Sequence, residues 1–289
     1  MAIGFTGSPL QRLDRERPDL AALARHREDP RALLLRLDGL DPVPDDAGAL
    51  SWTPLADHDP TVELALLGLL DGRPAFVALT PGVTGKPAFA LFRVLAGLPT
   101  PDAATWAAAR SLVDWHARHR FCGRCAALTE VTRAGWCRRC PACAAEHYPR
   151  TDPVVIMLAE HGGRVLVGRQ PRYPAGRYSA IAGFVEVGES LEEAVARELF
   201  EEAGVRATGV RYVASQPWPL PLSQLMLACV ATVESDALTI DRDELDDAKW
   251  VDRDGVRAAL AGAPEAPFVP PPPFAIAHTL LSRWALGEA

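Results

Sequence analysis

Between Gly183 and Val205 the chain reads GFVEVGESLEEAVARELFEEAGV, with seven glutamates in 23 residues and a regular apolar set between them. Such carboxylates either face water or gather around something positive, and their placement decides which. Ser190-x-x-Glu193 is a capping box that starts a helix at Ser190, and Gly204 stops it in the left-handed conformation. Leu191, Val195 and Leu199 repeat every four residues and mark the buried stripe. At about 100° per residue, Glu198 and Glu202 fall within roughly 60° of the centre of that stripe. Glu201 lies further round on the side of Glu198, and Glu192 points outward to solvent. A solvated acidic face would lie opposite the stripe. Carboxylates beside a core are costly when unpaired, and at three- and four-residue spacing they also repel one another. Arg197 offsets one charge. Three converging acids call for a hard divalent cation with oxygen ligands, and magnesium fits best. The preceding GFVEVGE, with Gly183 and Gly188, reads as a loop that brings Glu189 and backbone groups to the same place.

A second group with chemistry lies upstream. Five of the six cysteines fall between Cys122 and Cys143, as FCGRC and CPAC separated by 14 residues. Each CxxC turns two thiolates toward one point, and two pairs complete a tetrahedral Zn²⁺ shell of Cys122, Cys125, Cys140 and Cys143. CRRC at 137–140 is also a CxxC, so Cys137 competes in principle; it is read as a spare residue in the ribbon loop. Four thiolates leave no open position, which makes the zinc structural. Cys229, alone in LMLACVATV, reads as core. His116 and His119 precede the zinc motif and read as structural.

These groups need a frame. The 289 residues are 48% apolar and 23% charged, an ordinary globular composition. The net charge of −7 gives no general attraction to nucleic acid or anionic membranes. No apolar run approaches the roughly 20 residues that span a bilayer. The first 20 residues lack the apolar core of a secretory signal, so a cytoplasmic location is expected. The apolar runs RALLLRL, VELALLGLLDGRPAFVALT and FALFRVLAG read as a mostly β region, with Asp71-Gly72 as a hairpin turn. Residues 102–119 have helical periodicity. PVVIMLAE and RVLVGRQ flank an HGG turn at 161–163 as a hairpin. RYVASQ, LMLACVATV and KWVD read as further strands. Five prolines at 267–273 form a stiff connection to a last helix over 275–286.

Gly183, Glu189 and the run Arg197-Glu198-Leu199-x-Glu201-Glu202-x-Gly204-Val205 together resemble a complete Nudix box. SQPWPLPLS at 215–223 resembles the loop signature of the NADH pyrophosphatase subfamily, with Leu220 where that signature commonly has Phe. HRFCGRC, the paired CxxC, HYPRTDPVVI and GFVEVGE are similar to that subfamily in the same order. The likeness is specific over residues 110–289 and general before them. It implies an α+β fold: a Nudix α/β/α sandwich with a mixed sheet at 150–289, a zinc ribbon at 121–149, and a mostly β domain ending in a helix at 1–120.

The resemblance implies roles residue by residue. Glu198, Glu201 and Glu202 match metal-binding glutamates, and Glu244, in DRDELDD, a further acidic ligand that would otherwise read as solvated. Phe184, Tyr148, Gln216 and Ala277 match positions lining the dinucleotide pocket; Trp218 and Ser223 belong to the signature loop. The implied reaction is Mg²⁺- or Mn²⁺-dependent hydrolysis of the pyrophosphate of NADH or NAD⁺ to AMP and nicotinamide mononucleotide, with Glu202 as base and Arg197 orienting the glutamates. A homodimer is also implied. The alternatives are removal of an NAD cap from RNA, with Arg124, Arg138 and Arg139 meeting the RNA, hydrolysis of ADP-ribose or another nucleoside diphosphate derivative, and a nucleic-acid-binding zinc ribbon with a vestigial box.

Overall fold

The computed structural model describes residues 3–80, 82–83 and 89–289, with the backbone alone at 89–90. Met1 and Ala2, at the start of the stretch read for a signal, lie outside them. The described chain divides into two compact units. The N-terminal unit is Phe5–Thr151 with Trp218–Ser223, and the second holds residues 3–4, Asp152–Pro217 and Gln224–Ala289. No helix among the described residues is long and apolar enough to cross a membrane.

The N-terminal unit opens with α1 (Leu20–Glu28), whose start is capped by Asp19 accepting from the N–H groups of Ala21 and Ala22. Its sheet is built from β1 (Leu33–Leu35), β4 (Trp52–Pro54), β5 (Leu64–Leu70) and β6 (Arg73–Ala78) in the order β4-β1-β6-β5. A small hairpin, β2 (Leu37–Asp38) with β3 (Asp41–Pro42), stands apart from it. Asp71 and Gly72 both take positive φ, 50° and 73°, in the turn between β5 and β6. Two such residues match the right-handed twist of the flanking strands, as the Asp-Gly pair led one to expect. FALFRVLAG, grouped with the β runs above, is instead helix α2 (Phe89–Gly97). Its Leu91, Leu95 and the following Leu98 are all buried, a spacing of four and three that belongs to a helix face. Helix α3 (Thr100–Arg118) covers the periodic stretch at 102–119, with Pro101 in its first turn, where a missing N–H does no harm. The unit ends in a three-stranded antiparallel ribbon of β7 (Glu130–Thr132), β8 (Cys137–Arg139) and β9 (Glu146–His147).

The second unit is a six-stranded mixed sheet between helices. Its strands are β10 (Asp152–His161), β11 (Arg164–Arg169), β12 (Ile181–Phe184), β13 (Ala207–Trp218), β14 (Gln224–Val233) and β15 (Asp247–Asp252). β10 pairs parallel with β14 along its length, and antiparallel with β12 and β11 at its two ends. Alternation along the central strands sends side chains to two cores. Ile156, Leu158, Val165, Val167, Ala228 and Val230 pack with α5 (Arg253–Leu260) and α6 (Ile276–Leu286). Val155, Met157, Ala159, Leu166, Cys229 and Ala231 pack with α4 (Leu191–Ala203) on the other face. The sheet carries helices on both faces because the centres of β10 and β14, 154–159 and 225–231, are wholly apolar, so neither face can be left to water.

Candidate active site and zinc centre

In the ribbon, two six-residue turns repeat one design. The N–H of Cys122 donates to Ala127 O and that of Ala126 to Cys122 O; the N–H of Cys140 donates to Ala145 O and that of Ala144 to Cys140 O. Ala126 and Ala144 both adopt left-handed φ, 60° and 58°, which closes each turn. The four sulfurs meet as a result: Cys125 to Cys140 is 3.4 Å, and Cys125 to Cys143 and Cys122 to Cys143 are 3.6 Å. A tetrahedral Zn²⁺ with Zn–S near 2.3 Å needs S–S edges of about 3.8 Å, so the donor set fits the ion. Among the described residues, this is the group of possible ligands whose atoms all lie within 4.8 Å of one another. The backbone N–H of Arg124 reaches Cys122 Sγ and draws that thiol down to about 6. His147 Nε2, 3.3 Å from Cys122 Sγ, is an outer partner that sequence reasoning missed.

Cys137 is not a loop residue. It lies fully buried in β8, paired opposite Thr132. The ribbon arginines also part company. Arg124 and Arg139 are exposed, but Arg138 is buried and donates to Thr129 Oγ1, Thr129 O and His116 Nδ1. It is therefore unable to meet RNA, contrary to expectation. The donor at Nδ1 requires His116 to carry its proton on Nε2, which donates to Gly135 O at 2.7 Å. Burial pushes this imidazole down to about 4, in keeping with a neutral structural histidine. His119 Nδ1 donates locally to Trp115 O at 2.9 Å.

In the second unit, α4 begins and ends as its sequence dictates. Ser190 Oγ accepts from Glu193 N, Glu193 returns to Ser190 N, and Gly204 closes the helix at φ 73°. Val195 and Leu199 are fully buried, each worth about 1.5–3 kcal/mol, and hold α4 to the sheet. That contact turns Glu202 inward: it is 5% exposed, and its Oε2 has no hydrogen-bond partner. The side chain of Glu198 is 13% exposed, whereas that of Glu201 is 57% exposed. Glu192 faces solvent.

Arg197 organises the remaining acids. Its Nε and Nη2 bind Glu189 in a fork at 2.6 and 2.9 Å, Nη1 reaches Glu198 at 2.8 Å and Glu201 at 3.0 Å, and Nη2 also binds Phe184 O at 2.9 Å. All five guanidinium N–H groups are thereby engaged. Glu189, expected at the cation, is instead the partner of Arg197, which holds its carboxyl down at about 2. Gly183 lies on β12 opposite Val155. A Cβ there would stand 1.9 Å from Glu198 Cδ and about as close to both its oxygens, so only glycine admits this carboxylate.

The electrostatics set Glu202 apart. Burial, then the negative charges of Glu198, Glu244, Asp241 and Glu201, pushes its carboxyl up to about 8. Burial also raises Glu198, against the pull of Arg197. Asp241 was missed because DRDELDD reads as a solvated loop. In the fold that loop caps α4, with Thr239 N donating to Ala203 O and Asp241 N to Glu202 O. A buried carboxyl with an orphaned oxygen, under the negative charge of four further acids, suits a divalent cation, but among the described residues these carboxylates do not draw together as tightly as the four sulfurs do. Glu198, Glu201, Glu202 and Glu244 are the residues that would hold one.

The expected pocket residues fall in different places. Phe184 is half exposed, and its carbonyl is held by Arg197. Gln216 is fully buried: Nε2 donates to Gly4 O and Phe274 O, and Oε1 accepts from Ile276 N. Both amide donors are thus committed to backbone rather than presented to a ligand. Ala277 lies in the core at the start of α6. Tyr148, Trp218 and Ser223 belong to the N-terminal unit, where the Tyr148 hydroxyl donates to Glu146 at 2.6 Å.

Comparison with known proteins gives the same two modules. A NUDIX domain model matches residues 149–270, and an NADH pyrophosphatase zinc ribbon domain model matches residues 117–148. The human NAD-capped RNA hydrolase NUDT12 is 42% identical over 197 residues, covering 65% of this chain and 42% of that protein. Mouse mitochondrial NAD(P)H pyrophosphatase NUDT13 is 39% identical, covering 67% of this chain and 58% of that protein. This chain therefore spans well under two thirds of either relative. The NAD-capped RNA hydrolase NudC of Mycobacterium bovis is 35% identical over 306 residues, covering 96% of this chain and 93% of that protein. The chain accordingly belongs to the Nudix hydrolases, in the branch that sets an NADH pyrophosphatase zinc ribbon before the Nudix domain.

Proposed function

We propose that this protein hydrolyses the pyrophosphate of NADH and NAD⁺ to AMP and nicotinamide mononucleotide, with Mg²⁺ or Mn²⁺ held by Glu198, Glu201, Glu202 and Glu244. The observation that carries the reading is Glu202: buried, with one oxygen unpartnered, and acted on by the negative charges of Glu198, Glu244, Asp241 and Glu201. When bound, the divalent ion supplies charge neutralisation at the diphosphate and acidifies a bound water. Glu202 takes the proton of the attacking water, its carboxyl being ionised once a bound cation offsets the negative charges beside it. Arg197 keeps Glu198 and Glu201 oriented, and the packing of α4 excludes bulk water from Glu202. A phosphate ester leaves without needing a covalent nucleophile.

The substrate class rests on the SQPWPLPLS loop and on the names of the relatives. A second reading, removal of the NAD cap from RNA by the same bond cleavage, is favoured by the name of the mycobacterial relative that matches nearly the whole chain. Exposed Arg124 and Arg139 remain available for RNA in that case. We take the working form to be a cytoplasmic homodimer with structural zinc. Product analysis on NADH, NAD⁺, ADP-ribose and NAD-capped RNA, each with and without Mg²⁺ or Mn²⁺, tests the reading. Metal-dependent release of AMP and nicotinamide mononucleotide is the expected result; no cleavage of any NAD-containing substrate would sink it.

A further inference from the structure

The N-terminal unit contains a buried cation that neither zinc nor the carboxylate site uses. Arg110, on α3, is 1% exposed. Its Nη1 donates to Pro219 O at 2.9 Å, within the SQPWPLPLS loop, and its Nε is buried with no acceptor. Among the described residues no carboxylate comes within 4.0 Å of it: Asp114, one turn along α3, gives its Oδ1 to Arg118, and Asp114 and Asp41 act on Arg110 only at longer range. A buried guanidinium without an ion-pair partner is expensive, and an apolar residue of similar volume is often no less stable in such a place. Core stability therefore does not explain Arg110.

The loop explains it. Residues 218–223 leave β13, pack in the N-terminal unit and return as β14. Pro217, Pro219 and Pro221 have no N–H, so the loop has few main-chain donors with which to fix itself. Its carbonyls are the available handles. Trp218 stands edge-on to Phe5, with ring centroids 5.5 Å apart, and Phe5 lies 6.2 Å from Trp106. Trp106 is fully buried and anchored by its indole N–H to Leu40 O at 3.0 Å. Phe5 is itself 3% exposed and adopts φ 57°, a left-handed turn that aims its ring at this cluster. Leu220, in the same loop, is 3% exposed.

We propose that Arg110 is a positioning residue for the SQPWPLPLS loop, and that the N-terminal unit is the mould in which this recognition loop sets. The proposal rests on the reading of the loop as part of dinucleotide recognition. Arg110 acts through Pro219 and touches neither substrate nor metal.

The test compares Arg110→Met, Arg110→Lys and Phe5→Leu with wild type in the full chain. Hydrogen exchange of the peptide spanning 215–224 in Arg110→Met is expected to quicken by about tenfold or more, the scale of one lost hydrogen bond that strands a buried carbonyl. Peptides of α4 keep their rates. In the same variant KM for NADH rises about tenfold with kcat little changed, so preference for NADH over ADP-ribose falls. Arg110→Lys, which keeps a donor, restores part of both. Unchanged loop exchange in Arg110→Met overturns the proposal, as does a lysine variant no better than the methionine one with both losing thermal stability. If Arg110→Met does not fold, Phe5→Leu is read by the same exchange measurement with the same two outcomes. A wild type inactive on NADH removes the functional reading, and loop exchange still decides the placement.

Discussion

The ribbon holds four thiols and the Nudix box four carboxylates, and they manage the charge in opposite ways. In the ribbon the four sulfurs converge to 3.4–3.6 Å with nothing between them, because thiols can be protonated and two backbone turns deliver them. In the box, Arg197 stands between Glu189 and the pair Glu198 and Glu201, while Glu202 is left buried and partnerless at Oε2. A closed structural site is assembled by short-range geometry. The box leaves one group unsatisfied and holds the rest on a counter-ion that can share them.

The largest effect should come from opening the closed site. Cys140→Ser removes one thiolate from the zinc shell, and several kcal/mol of metal-linked folding energy go with it. Thermal melts with zinc quantification should show loss of the ion and a lower first transition; a variant that binds no zinc yet melts like wild type would dissolve the contrast.

Next in size is Glu202→Gln, which removes the proposed base while keeping its shape. Turnover of NADH should drop about a thousandfold, roughly 4 kcal/mol in barrier. Folding should move the other way. Glu202 titrates near 8 in the folded chain, against an ordinary 4.5. Between those values the folded state binds the extra proton, so wild type without added Mg²⁺ or Mn²⁺ loses stability as pH rises from about 4.5 to about 8. The loss is on the order of a few kcal/mol. Glu202→Gln should flatten that slope in melting curves taken across the window. A variant with near-normal turnover would move the base elsewhere.

The smallest change sharpens the comparison most. Gly183→Ala drives a methyl into the Glu198 carboxylate, which must swing from Arg197. Affinity for Mn²⁺ should fall about tenfold or more by calorimetry, with zinc content untouched. Equal affinity in the two proteins would mean that Glu198 is not held where its contacts suggest.

The sequence by itself determined what depends on neighbours a few residues away. The capping box at Ser190, the stop at Gly204 and the Asp71-Gly72 turn follow from local dihedral preference, and the two CxxC turns from short-range hydrogen bonding that holds Ala126 and Ala144 in a left-handed φ alanine does not favour. Helical periodicity was also enough to place Glu198 and Glu202 beside the core. It failed at FALFRVLAG, where a short apolar run fits a strand or a helix until its burial is known. Only the tertiary structure decided the partners of charged and polar groups: Glu189 with Arg197, Arg138 with His116, Gln216 with Gly4 and Phe274, Asp241 near Glu202, and Arg110 with Pro219. A charge at long sequence separation carries no local signature of its partner, and whether it is a surface residue or a buried tool is set by which elements pack over it.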